Sequence, residues 1–153
     1  MALWTQVKNW LQPIAWACVI SILSTDEFSS QHTSRFILPV LRWLFPRASA
    51  HTLDLMHLII RKMAHLTEYF IFSIFLFHGL RGKRRGWQLR WAIWAVVLAG
   101  GYAALDEFHQ VFVPSRHASP WDALIDTTGA AAGQVVLWLW SLWRAKVTRI
   151  RPA

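Results

Sequence analysis

Cysteine and charge are what this sequence has least of. It holds one cysteine in 153 residues, which excludes a disulfide framework and a cysteine-based zinc site. Only 16% of its residues are charged, where soluble domains carry about 25%, so there is little charge to cover a small globule. Acidic groups are scarcer still: eight Asp and Glu face sixteen Lys and Arg, for a formal charge of +8. Long hydrophobic runs are also missing, since the longest stretches free of charge are 17 residues, 9–25 and 127–143. Apolar residues are abundant, at 55% of the chain with 11 Trp, and that excludes disorder. One domain is expected at this length. A basic nucleic-acid binder and a membrane protein both remain, and they differ in where the charges sit.

Four apolar stretches run over about 8–24, 55–80, 87–113 and 121–143. A membrane-spanning helix needs about 20 mostly apolar residues. Glu68 interrupts the second stretch, and Asp106 and Glu107 the third, so hydropathy alone does not decide. The charge partition does. Lys8, the connection carrying Arg81, Lys83, Arg84, Arg85 and Arg90, and the C-terminal Arg144, Lys146, Arg149 and Arg151 make ten cations with no acid among them. The alternate connections and adjoining helix ends hold all eight acids and the other six cations. Basic loops alternating with non-basic ones predict four spans with both termini in the cytoplasm. Trp10, Trp87, Trp121 and Trp143 fall at predicted span ends, where aromatic rings sit among headgroups. The expected fold is an all-α membrane protein, a four-transmembrane-helix bundle forming a single domain over residues 1–153. The Arg81–Arg90 run is then an orientation signal rather than a nucleic-acid patch, and no nucleic-acid partner is expected. No small-residue cleavage site follows the first stretch near Ser24, so it is taken as a retained anchor.

Residues 25–54 form the one long outer connection. Within it, Phe36, Ile37, Val40, Leu41 and Leu44 recur at helical spacing from Thr33 to Phe45, an amphipathic interfacial helix that Pro46 ends. Gly129 and Gly133 make a GxxxG pair in the fourth stretch, read as a close helix contact.

The polar residues inside the apolar stretches carry the functional signal. Asp54, His57, Arg61, His65 and Glu68 recur at steps of three and four, along one helix face, with Lys62 and Tyr69 flanking. Asp106, His109 and Gln110 share a face of the third helix with Glu107 adjacent, and Asp122, Asp126 and Gly129 share a face of the fourth. Arg116 sits in the loop between them. All lie toward the outer side, so three helices are expected to bring them to one outward-facing site. Ionisable groups inside a membrane are costly and mark function or mutual pairing. A structural ion network, a ligand cavity and a metal site are three ways to account for them, and the ligand cavity is preferred. H-x-x-E and D-x-x-H spacings suit a divalent ion. Lys62 and Arg116 would repel one, and favour a phosphate or carboxylate instead. No cofactor is predicted.

The run R-K-M-A-H-L-T-E-Y from Arg61 to Tyr69 resembles the K-x-x-H-x-x-E-Y segment of the VanZ-like family. The stretch from Leu105 to Gly133 resembles that family's D-E-x-x-Q, P-x-R, D and G-x-x-x-G pattern. Lys62, His65, Glu68 and Tyr69 match the first motif; Asp106, Glu107, Gln110, Pro114, Arg116, Asp122, Gly129 and Gly133 match the second. Asp126 departs from it, standing where the family often has Asn. The resemblance implies a multi-pass protein of the bacterial cytoplasmic (inner) membrane and cell envelope. It also suggests a link to resistance against teicoplanin-type glycopeptides, which act outside the membrane.

Two functions are weighed on these residues. In the first, the outer cavity binds a lipid-linked or amphiphilic anion, with Lys62, Tyr69, Glu107, Gln110, Arg116, Asp122 and Asp126 as binding residues. Membrane lipids, a lipid-linked cell-wall precursor or an amphiphilic glycopeptide are the partners considered, with an oligomer left open. In the second, a membrane-embedded enzyme hydrolyses or transfers a phosphorylated lipid headgroup, with His65, Glu68, Asp106 and His109 as catalytic residues. A small carrier is weaker, because four spans lack the inverted repeats of such proteins.

Overall fold

Serines fix where two of the helices begin. Ser29 and Ser49 each accept a backbone N–H three residues on, from His32 and Thr52, satisfying donors that the first helical turn leaves open. In the computed structural model, which describes residues 2–25, 29–113 and 119–150, five helices follow one another. They are α1 (Ala2–Leu23), α2 (Ser30–Leu44), α3 (Ala50–Arg81), α4 (Leu89–Gln110) and α5 (Pro120–Ile150). No strand occurs among the described residues, so the fold is all-α. Helix α3 begins at Ala50, ahead of the apolar stretch expected from Leu55, with the Ser49 cap at its start. A helix does occupy the connection between the first two apolar stretches; α2 ends just before Pro46. Gly82, at φ 58°, ends α3 in a conformation open to glycine, its N–H bonding back to His78 O. Pro120 opens α5, where a missing N–H costs nothing.

Helix α3 is the hub and packs against each of the other four. Its contact with α5 runs through the two glycines. A Cβ on Gly129 would stand 2.3 Å from Leu66 O, and one on Gly133 would stand 2.7 Å from Phe70 O. Backbone therefore meets backbone there, as the GxxxG spacing predicts. Ser73 and Gln134 reinforce it: Gln134 Nε2 donates to Ser73 O at 2.9 Å, and Ser73 Oγ donates to Ala130 O at 2.8 Å.

Helix α3 buries large side chains, among them Tyr69, Phe72, Leu76 and Phe77, whereas α4 keeps small residues inside and large ones outside. On α4 the buried stripe is Ala92, Ala95, Ala99 and Ala103, while Ile93, Trp94, Val97, Leu98 and Phe108 are exposed. On α2, Leu41 is buried while Phe36 is 77% and Trp43 80% exposed. A water-soluble helix turns its large apolar side chains inward. Small residues at the contacts with bulky ones outward is the packing of helices in lipid. Among the described residues, one helix, α3, is long and apolar enough to cross a membrane on length and composition.

Charge divides along the bundle. A Cβ on Gly79 would lie 3.3 Å from Asn9 O, and the Trp87 and Trp138 rings approach to 6.4 Å. These contacts gather the start of α1, the α3–α4 turn and the later part of α5 at one end, with their cations. The carboxylates of α3, α4 and α5 lie toward the other end.

Candidate functional site

At the acid-bearing end, each helix delivers polar groups that its own apolar sequence cannot satisfy. Lys62 of α3 pairs with Asp122 at the start of α5, the two side chains 34% and 28% exposed. One turn further along α3, His65 Nδ1 stands 3.9 Å from Glu68 Oε2 and 4.0 Å from Asp126 Oδ1. Asp126 is only 1% exposed, and its Oδ1 accepts no hydrogen bond. Tyr69 is wholly buried beside this group, its hydroxyl also without a hydrogen-bond partner. The cluster is thus graded, from a partly open ion pair at its rim to a buried carboxylate and phenol at its floor.

Asp106 of α4 is held from two sides. Ser24 Oγ donates to its Oδ2 at 2.7 Å, and Gln110 Nε2 donates to the same oxygen at 3.0 Å. Glu107 turns the other way and accepts the Ser119 backbone N–H at 2.7 Å, tying α4 to the residue that leads into α5. Asp126 lies within electrostatic range of Glu107, Asp106, Glu68 and Asp122, and Tyr69 within range of Asp106, Asp126 and Glu68. The carboxylates of three helices therefore form one neighbourhood. Burying charges so close together is expensive unless hydrogen bonds, shared protons or a ligand offset it. The described carboxylates here outnumber the cations, so the group presents acceptors more than donors.

The structure brings together Lys62, His65, Glu68, Tyr69, Asp106, Glu107, Gln110, Asp122 and Asp126. It does not bring in His109, whose side chain is exposed. The buried arc of α4 is made by Ala99, Ala103, Asp106, Glu107 and Gln110. At about 100° per residue, His109 falls outside that arc. The expected stripe on α3 also divides. Asp54 is exposed, and His57 is buried toward α2, its Nε2 3.3 Å from Thr33 Oγ1. Arg116 and Pro114 lie outside the described residues. Among the described residues, no group of three or more His, Cys, Asp or Glu side chains is arranged to hold a metal ion.

Helix α1 supplies partners that spacing alone does not reveal. Besides Ser24, Trp16 Nε1 donates to Glu68 O at 2.9 Å, and Tyr102 OH, 2.6 Å from Ser21 Oγ, donates to Ala17 O at 2.9 Å. Ala17, Ser21 and Ser24 recur at helical spacing in an otherwise apolar stretch. That small-residue stripe is the signal that points to a polar neighbour.

No curated protein and no solved structure matches the chain. The VanZ/LLP1 family matches it over residues 10–142, a span that takes in the rim pair, the His65 cluster and the glycine contact. The chain belongs to the VanZ/LLP1 family.

Proposed function

We propose that the chain is a four-span protein of the bacterial cytoplasmic membrane, with both termini inside and α2 lying along the outer surface. Its polar cluster then faces outward and binds the headgroup of a lipid-linked or amphiphilic anion. The inverted packing and the division of charge support the membrane reading. One observation carries the binding reading: Asp126, buried at the floor of the cluster, keeps a carboxylate oxygen with no hydrogen-bond partner. Such an oxygen is costly to leave unmet, and a ligand donor would meet it.

Lys62 at the rim, together with Arg116, is suited to the anionic group, which would exchange with Asp122 as the lysine's partner. His65, Glu68 and Asp126 then receive hydroxyl, amide or amine donors of the same headgroup. A lipid-linked cell-wall precursor has both kinds of group, as does an acylated glycopeptide of the teicoplanin type, so the resistance link of the namesake family fits this reading. The test uses the full chain in lipid nanodiscs, titrated with teicoplanin and with a polyprenyl phosphate. Saturable binding that Lys62→Ala, Arg116→Ala and Asp126→Asn each weaken at least about tenfold supports the proposal; binding untouched by all three overturns it. Retention of the chain in alkali-washed membranes tests the membrane reading separately.

A second reading rests on the placement of His65 between two carboxylates, Glu68 and Asp126. An imidazole so flanked is fitted to move protons. It would take a proton from water attacking a phosphorylated headgroup, while Lys62 steadies the charge that develops. Release of phosphate from a labelled phosphorylated lipid, lost in His65→Ala, supports this reading. No product with or without a divalent metal counts against it.

A further inference from the structure

The acid-bearing end holds more negative charge than its own residues offset. Glu68, Asp106, Glu107, Asp122 and Asp126 are five carboxylates drawn from α3, α4 and α5. Set against them are Lys62, which pairs with Asp122, and His65, which stands between Glu68 and Asp126. Crediting Arg61 and Arg116 as well, from the sequence alone, brings the cations to four. One carboxylate is left over even with His65 protonated. The far end of the bundle gives no help. There Arg84 and Arg90 rest on one ring, 5.3 and 4.3 Å from the centre of Trp91, and Arg144 lies 5.4 Å from that of Trp140. A buried charge without a counter-charge is costly.

Hydrogen bonding shows where the surplus falls. Asp106 Oδ2 accepts from Ser24 and Gln110, and Glu107 accepts the Ser119 N–H. Asp126 Oδ1 and the Tyr69 hydroxyl, both at the floor of the cluster, have no partner. The floor therefore calls for a donor that also carries positive charge. A hydroxyl or an amide supplies the bond without the charge. A quaternary ammonium supplies the charge without an N–H. A primary ammonium supplies both, with one N–H for Asp126 Oδ1 and another for the Tyr69 oxygen. Part-exposed His65 and Glu68 line the way to it from the rim. Asp122 and Asp126 are one turn apart on α5, so the levels of Lys62 and Asp126 differ by about 5.4 Å. A phosphate and an ammonium joined through two carbons span a distance of that order.

We infer that the amphiphile bound at the cluster carries, besides its anionic group, a primary ammonium. The phosphate meets Lys62 at the rim while the ammonium lies between Asp126 and Tyr69, as in a phosphoethanolamine headgroup. The inference rests on the binding reading above and names the class of ligand for that site.

The test is native mass spectrometry of the full chain, purified in detergent and titrated with phosphatidylethanolamine or with phosphatidylcholine of the same acyl chains. The two lipids have the same charges and differ in whether the ammonium can donate. Retention of phosphatidylethanolamine at least about tenfold tighter is expected. Asp126→Asn keeps an acceptor oxygen and removes the charge, so it should erase that preference with no loss of thermal midpoint. Lys62→Ala should weaken retention of both lipids and keep their order. Equal retention of the two by the unaltered chain overturns the inference, shared protons then offsetting the charge. So does a preference that survives Asp126→Asn. Equal retention that Lys62→Ala still weakens leaves the binding reading standing, whereas retention that neither variant alters overturns both.

Discussion

Asp126 and Lys62 differ in what they contribute, and exposure decides which. The Lys62–Asp122 pair is partly open to solvent, and pairs of that kind contribute under about 1 kcal/mol. Lys62→Ala is therefore expected to leave the thermal midpoint almost unchanged while weakening ligand binding. Asp126 is buried with one oxygen unmet, so Asp126→Asn removes a buried charge while keeping the side chain's shape. That variant should be as stable as the parent or more so, yet defective in binding. Ser24→Ala is the opposite case. It strips Asp106 of a charge-assisted hydrogen bond at 2.7 Å and should cost about 1–2 kcal/mol, measured by thermal unfolding in detergent.

Much of the site is legible at this scale because charged side chains in apolar helices need partners, and steps of three and four place them on one face. Lys62, His65, Glu68, Asp122 and Asp126 follow from that. Two things do not. Spacing along one helix fixes a relative angle and leaves open which arc is buried, so it groups His109 with Asp106 although Ala99 and Ala103 turn the helix the other way. Nor does spacing say which helices adjoin, so the Ser24–Asp106 bond emerges only with the packing of α1 beside α4.

Among elements, the α3–α5 contact is the one the fold depends on most closely. Gly129 meets the Leu66 carbonyl, which as backbone cannot step aside. Gly129→Ala should force the helices apart at a cost of about 1–3 kcal/mol. Gly101 in α4 faces open space, with no atom within 4 Å of where a methyl group would stand. Gly101→Ala should therefore be neutral or gain about 0.5–1 kcal/mol of helix stability. Thermal midpoints of the two variants, taken side by side, check the contrast. The GxxxG pair announces the first of these contacts in the sequence. Helix limits are less legible: the second apolar stretch marks where α3 becomes hydrophobic, whereas the Ser49 cap determines where it starts.

Over the whole molecule, the charge of +8 resolves into two unlike ends. One holds cations resting on aromatic rings, the other a cluster in which carboxylates predominate. Helix α4, with alanines inside and isoleucine, leucine and tryptophan outside, leaves a large apolar surface exposed. In the proposed membrane setting lipid matches that surface, and the two ends would fall on opposite faces of the bilayer. The outward site requires the acid-bearing end to face out. Cysteine labelling in intact cells tests this most directly, on a Cys18→Ser background that removes the sole native thiol. A membrane-impermeant maleimide is expected to label Ser119→Cys, beside the cluster, without permeabilisation, and to label Lys83→Cys, in the basic turn, only after it. Labelling of Lys83→Cys in intact cells, with Ser119→Cys protected until the membrane is opened, would contradict it.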